Sequence, residues 1–136
     1  MGCSSAIYAA NSNSQAIAAN TATVINFGQV IRAYGPNTNI SGGNVTINNY
    51  GYYVGDTNFS ITSAAGTTVT VQIYKDGVLI PGATATQVLG TGTTEIAVSI
   101  PFMLRSLCCV ESTITAVITA TAAANVVNAA ILVRKV

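Results

Sequence analysis

Residues 68–83 read "TVTVQIYKDGVLIPGA". Val69, Val71 and Ile73 fall on one side of an extended chain and Thr70, Gln72 and Tyr74 on the other, the two-residue period of a half-buried strand. Asp76 and Gly77 tolerate the left-handed backbone of a tight hairpin, and Val78 to Ile80 start a return strand. Lys75 and Asp76 are therefore expected at a solvated tip. Pro81 has no amide hydrogen for the ladder, so the return strand should end there or lie on a sheet edge.

The same period recurs on both sides of this hairpin. In "NVTINNYGYYVGDTNFSIT" (44–62), Val45 and Ile47 share a face, and Tyr53, Phe59 and Ile61 later alternate with Asp56, Asn58 and Ser60. In "TEIAVSIPF" (94–102), Ile96, Val98 and Ile100 oppose Glu95, Ala97 and Ser99. Upstream, "TVINFGQVIRAYG" (23–35) reads as one strand closed by the turn residues of "YGPNTN", and "ISGG" breaks the chain before the next. The segments around "STITAVITAT" (112–121) and "NAAILVRKV" (128–136) differ, since Ala, Val, Ile or Leu occupy both faces. A strand apolar on both sides is covered on both sides. Together the runs make about seven or eight short strands without an amphipathic helix, which predicts an all-β, two-sheet antiparallel sandwich or jelly roll.

Charge explains why such a molecule needs company. Of 136 residues only 7% are charged, against about 25% in ordinary soluble domains, while 50% are apolar and the net charge is +1. Self-repulsion is weak, so apolar outer faces are expected to be covered by copies of the chain around a symmetry axis. The strands "GYYV", "TAVI" and "AAILV", with Tyr50 immediately before the first, supply the interface candidates Tyr50, Tyr52, Ala116, Ile118, Ala130 and Leu132. At this length one core suffices without disulfides or metals.

Residues 1–22, "MGCSSAIYAANSNSQAIAANTA", contain only Ile7, Tyr8 and Ile17 as larger apolar side chains. They are read as an arm that becomes ordered by docking, with these three residues as its anchors, ahead of a folded head at 23–136. The N-terminus lacks the basic-then-apolar layout of a secretory signal, and Ala6 stands where a myristoylation motif has Ser or Thr.

The expected chemistry is sparse. There is no His, and Asp56, Asp76, Glu95 and Glu111 are dispersed, so no catalytic residues, metal ligands or cofactor are assigned, and an enzyme is not expected. The basic residues form no stripe for phosphates, and no apolar run reaches the roughly 18–20 residues of a spanning helix, so neither nucleic acid nor membrane is an expected partner. Cys3, Cys108 and Cys109 read as small buried hydrophobes.

The succession of Gly51, Tyr52 and Tyr53, then Asp76, Gly77, Ile80, Pro81 and Gly82, then the apolar run from Ala130 to Val133, resembles the C1q and tumour-necrosis-factor-like jelly roll. It is similar to the bacterial and phage versions, such as the C-terminal domains of exosporium collagen-like glycoproteins, over about residues 24–136. The resemblance implies a homotrimer with the final strand near its threefold axis, used as a structural head or decoration. The exosporium type carries a Gly-X-Y collagen region, which this sequence lacks. The expected role is a phage virion protein, a capsid decoration or head fibre assembled in the host cytoplasm and bound to a capsid protein through the arm. The alternative is a receptor- or glycan-binding tip of a tail fibre or of a bacterial or spore surface protein, with a cell-surface glycan as partner and Tyr50 and Tyr52 as its stacking residues.

Overall fold

The computed structural model describes residues 5–92, 94–107 and 110–136. Cys3, Cys108 and Cys109, read above as buried hydrophobes, lie outside the described residues. Regular structure among the described residues is all strand: β1 Ala6–Asn11, β2 Gln15–Ile17, β3 Thr23–Val24, β4 Gln29–Tyr34, β5 Thr38–Ser41, β6 Asn44–Ile47, β7 Gly51–Ser63, β8 Thr68–Lys75, β9 Val78–Val88, β10 Glu95–Ser106, β11 Ser112–Ala120 and β12 Ala124–Lys135. Two antiparallel sheets face each other. One has the order β10-β7-β12-β1-β4, with β2 beside the start of β12; the other has β5-β6-β11-β8-β9, with β3 beside β11. The chain passes from sheet to sheet at β2–β3, β3–β4, β4–β5, β6–β7, β7–β8, β9–β10, β10–β11 and β11–β12, the crossing pattern of a jelly roll.

Period two fills the space between the sheets. Val69, Val71 and Ile73 of β8 and Tyr53, Phe59 and Ile61 of β7 are fully buried, as their alternation predicts. Phe27 and Phe59 meet at the centre with ring centroids 5.8 Å apart and planes tilted by 42°. Gly55 faces inward on β7 opposite Phe102, and the Phe102 ring occupies the space where a Cβ on Gly55 would stand. The glycine is there for the close approach.

The hairpin of residues 75–78 has the predicted two-residue loop, with φ of 51° at Asp76 and 80° at Gly77. Its tip is anchored as well as solvated. The Asp76 carboxylate accepts the Thr113 amide at 2.8 Å, and the Asp76 amide donates to the Thr113 carbonyl at 2.9 Å. Lys75 lies 3.8 Å from the same carboxylate. Pro81 does not end the return strand; β9 runs through it because it is an edge strand, with a register shift opposite Gln72 to Tyr74.

Two expectations need correction. The segment 23–35 is not one strand. β3 pairs with β11 in one sheet, then the chain crosses to the other sheet, with Ile25 and Phe27 buried on the way, and pairs again as β4 beside β1. The arm is not an arm either. From Ala6 onward it is sheet: β1 lies between β12 and β4, in register from Ala6↔Arg134 to Asn11↔Ala129, and β2 continues along β12. Ile7 and Ile17, assigned as docking anchors, are core residues instead. Few large side chains suffice here, because β1 gains two backbone ladders and needs only Ile7 and Ala9 to face inward. The boundary at residue 22 therefore divides nothing in the fold.

Candidate subunit interface

The outer side of the β10-β7-β12-β1-β4 sheet can be read row by row from its register, because directly paired residues of antiparallel strands point to the same face. Pro101, Asp56, Leu132, Tyr8 and Arg32 form one row. The next row holds Met103, Val54, Arg134, Ala6 and Tyr34, and on the other side lie Ser99, Asn58, Ala130 and Ala10. Arg105 and Tyr52 extend the face toward Val136, whose amide donates to the Tyr52 carbonyl at 2.9 Å.

Large apolar and aromatic side chains stand exposed on this face among its polar residues. Tyr8, Tyr34, Tyr52, Met103 and Leu132 all stand exposed on it. Leu132, 42% exposed, stands among three shallow depressions of about 200, 210 and 110 Å³. It is a knob ringed by hollows, a shape suited to interdigitation with another surface.

Charges are concentrated here too. Arg32, Asp56, Glu95, Arg105 and Arg134, five of the nine charged residues, point from this side. None makes an ion pair with another described residue; Lys75–Asp76 is the one such pair among the described residues.

The opposite outer face has another character. Thr70, Gln72, Thr115, Val117 and Thr119 are half-buried there, and the Thr70 and Thr86 hydroxyls lie 3.3 Å apart. Ala116 and Ile118, expected at the interface, are therefore misplaced. On β11 the residues 114, 116, 118 and 120 point into the sandwich, and Ala116 and Ile118 are core. Leu132, Tyr52 and half-buried Ala130 do lie on the face described here. Tyr50, 63% exposed, sits at the β6–β7 crossing, where the Lys135 ammonium is 5.9 Å from its ring centroid. Tyr8, expected on an arm, belongs to the middle of the face.

Sequence reasoning missed Met103, Arg105, Asp56, Arg134 and Tyr34. For β10 a signal existed: the alternation of Ala97 and Ser99 continues through Pro101 to Met103 and Arg105, and following it past the proline would have placed both.

Elsewhere, Ser5 accepts the Asn37 amide at 3.1 Å, and the Tyr53 hydroxyl donates to the Asn49 carbonyl at 3.3 Å. Burial pushes the Tyr53 phenol above its ordinary range. No three His, Cys, Asp or Glu side chains group as a metal site among the described residues.

No protein-family model matches this chain, and no curated protein does. Solved structures do. The chain is similar to the vertex protein P5 of PRD1, with a TM-score of 0.66 at 13% identity over 100% of this chain and 99% of that one. It is also similar to murine APRIL, with a TM-score of 0.72 at 12% identity over 98% and 99% in the pH 5.0 crystal structure. At these identities the likeness defines the fold, a TNF-like jelly roll spanning the whole chain.

Proposed function

We propose that this chain is a virion structural protein, a homotrimeric capsid decoration or head-fibre module that associates through the outer face of the β10-β7-β12-β1-β4 sheet. The observation that carries the reading is that face: exposed Tyr8, Tyr34, Tyr52, Met103 and Leu132 on a chain whose charged fraction is 7%. Surface of that kind calls for a protein cover, and a copy of the chain is the cover always present. The end-to-end likeness to a phage vertex protein supports the virion as the location.

The role is mechanical rather than catalytic. Three copies held by one head multiply whatever weak contact each makes with the particle. Attachment does not run through Ile7 and Ile17, which the core already uses. Native mass spectrometry of the isolated protein, with peptide mass spectrometry of purified particles, tests the reading: a stable trimer and presence in the particle are expected. A chain that stays a single copy at micromolar concentration removes the assembly half, and absence from particles removes the location.

Tyr50 and Tyr52, at 63% and 54% exposure, favour one second reading, a glycan-binding tip. Glycan-array binding that disappears in Tyr50→Ala would support it over a purely structural head.

A further inference from the structure

We infer that Asp56 and Arg134 form an ion pair between neighbouring subunits, repeated around the assembly as a closed ring of alternating charges. The inference rests on the homotrimer proposed above and identifies the occupant of the face as a second copy of this chain.

Asp56 lies on β7 and faces Leu132 on β12; Arg134 lies two residues further along β12, opposite Val54. The two charged side chains thus flank the Leu132 knob on two adjacent interior strands of the face. They line the same depression of about 210 Å³, together with Pro101 and Leu132, yet form no ion pair within the chain. Both are exposed in the single copy, where water satisfies them.

Covering the face removes that water. An uncompensated charge in a dry interface is strongly destabilising, so each of these groups must find an opposite charge there. Arg32 and Arg105 are under less constraint, since β4 and β10 are the edge strands of the sheet and a rim charge remains solvated. Asp56 is the carboxylate flanking the knob; Glu95, the other acid on this side, is at the far end of β10, paired with Thr62.

Carrying both signs, each copy can offer its acid to one neighbour and its base to the other, the head-to-tail contact that a threefold ring repeats. A rotation that brings Asp56 of one copy to Arg134 of the next does the same at every contact and closes when the last copy meets the first. Placing three copies of the same charge around an axis without the opposite sign between them would be repulsive; alternation removes that conflict. The pair also fixes the rotational register of one subunit on the next, which apolar contacts alone leave loose.

A charge-reversal cycle on the full chain tests this, with sedimentation velocity read across a dilution series and circular dichroism confirming the sheet in every variant. Asp56→Arg and Arg134→Asp, made singly, are expected to raise the concentration at which half the chains are assembled by at least about tenfold. The double reversal is expected to return it to within about threefold of the original. Single variants that assemble like the parent, or a double variant as weak as either single, overturn the pairing while the parent trimer stands. A parent that never assembles overturns the homotrimer itself. Should a reversal lose the sheet signal, Asp56→Asn and Arg134→Gln take its place, and additive effects in that cycle would equally refute the pairing.

Discussion

Ile131 and Leu132 are consecutive on β12, nearly equal in size, and face opposite worlds: Ile131 is 1% exposed in the sandwich and Leu132 is 42% exposed on its outer face. Truncating each to alanine separates folding from assembly. For Ile131→Ala the side chain leaves a cavity among packed neighbours, and the cost falls on the fold, about 2–5 kcal/mol per chain. For Leu132→Ala the single chain loses little. What disappears is the area that a neighbouring subunit would cover, 42% of the residue. Complete burial of a leucine is worth about 1.5–3 kcal/mol, so the covered fraction contributes about 1 kcal/mol per subunit and about 3 kcal/mol per trimer. At about 1.4 kcal/mol per decade, the trimer association constant should fall about a hundredfold. Sedimentation equilibrium over a concentration series measures that constant, and urea denaturation at several protein concentrations measures the fold, since an assembly's apparent stability depends on concentration. Leu132→Ala should lower assembly and leave the denaturation of the dissociated chain unchanged; Ile131→Ala should shift that denaturation itself. If Leu132→Ala left the association constant untouched, the outer face would not be the interface and the proposed assembly would have to be built on another surface.

Three further outcomes follow from the fold. Deleting residues 6–17 should abolish the cooperative melt followed by circular dichroism, because Ile7, Ala9 and Ile17 are core and β1 has strands on both sides; a truncated chain that still melts cooperatively would make this segment the dispensable arm the sequence suggested. Gly55→Val introduces a residue that strands favour, yet it should destabilise by about 1–3 kcal/mol in denaturant titrations, because its Cβ meets the Phe102 ring; pairing it with Phe102→Leu should recover part of the loss, and a neutral single variant would show that the ring yields freely. Burial raises the Tyr53 phenol, so below about pH 10 both folded and unfolded chains keep the proton and this group leaves stability unchanged, while above it the unfolded chain ionises first and stability falls as pH rises toward the folded value. Urea midpoints across that range should fall less steeply in Tyr53→Phe, and identical slopes would remove Tyr53 from the alkaline transition.

What could be read beforehand was whatever neighbouring residues decide among themselves. Val69, Val71 and Ile73 alternate with polar residues, Asp76 and Gly77 accept positive φ, and both patterns carry through to the structure. The fate of Ile7 and Ala9 depended on β12, more than a hundred residues away, and nothing between Ala6 and Asn11 announces that partner. On β11 the ambiguity was one of parity: Ala116 and Ile118 alternate with Thr115, Val117 and Thr119, and a face of Thr and Val is hardly more polar than one of Ala and Ile. Which side is the core was settled by the sheet opposite. The outer face was half legible for a related reason. Tyr52 and Leu132 stood out as apolar residues on strands already filled, but Asp56 and Arg134 acquire meaning only when the register sets them around the same knob.

The seam between β1 and β12 also sets how this molecule bears a load. The strands run antiparallel, and the Lys135 amide donates to the Ser5 carbonyl at 2.9 Å, so residues 5 and 136 emerge side by side at one pole. Tension applied across them would open the seam like a zip, one hydrogen bond at a time, the direction in which a β ladder resists least. A tether on one side of that pole leaves the seam slack and, in the homotrimer proposed above, hands the strain to the contacts between subunits instead.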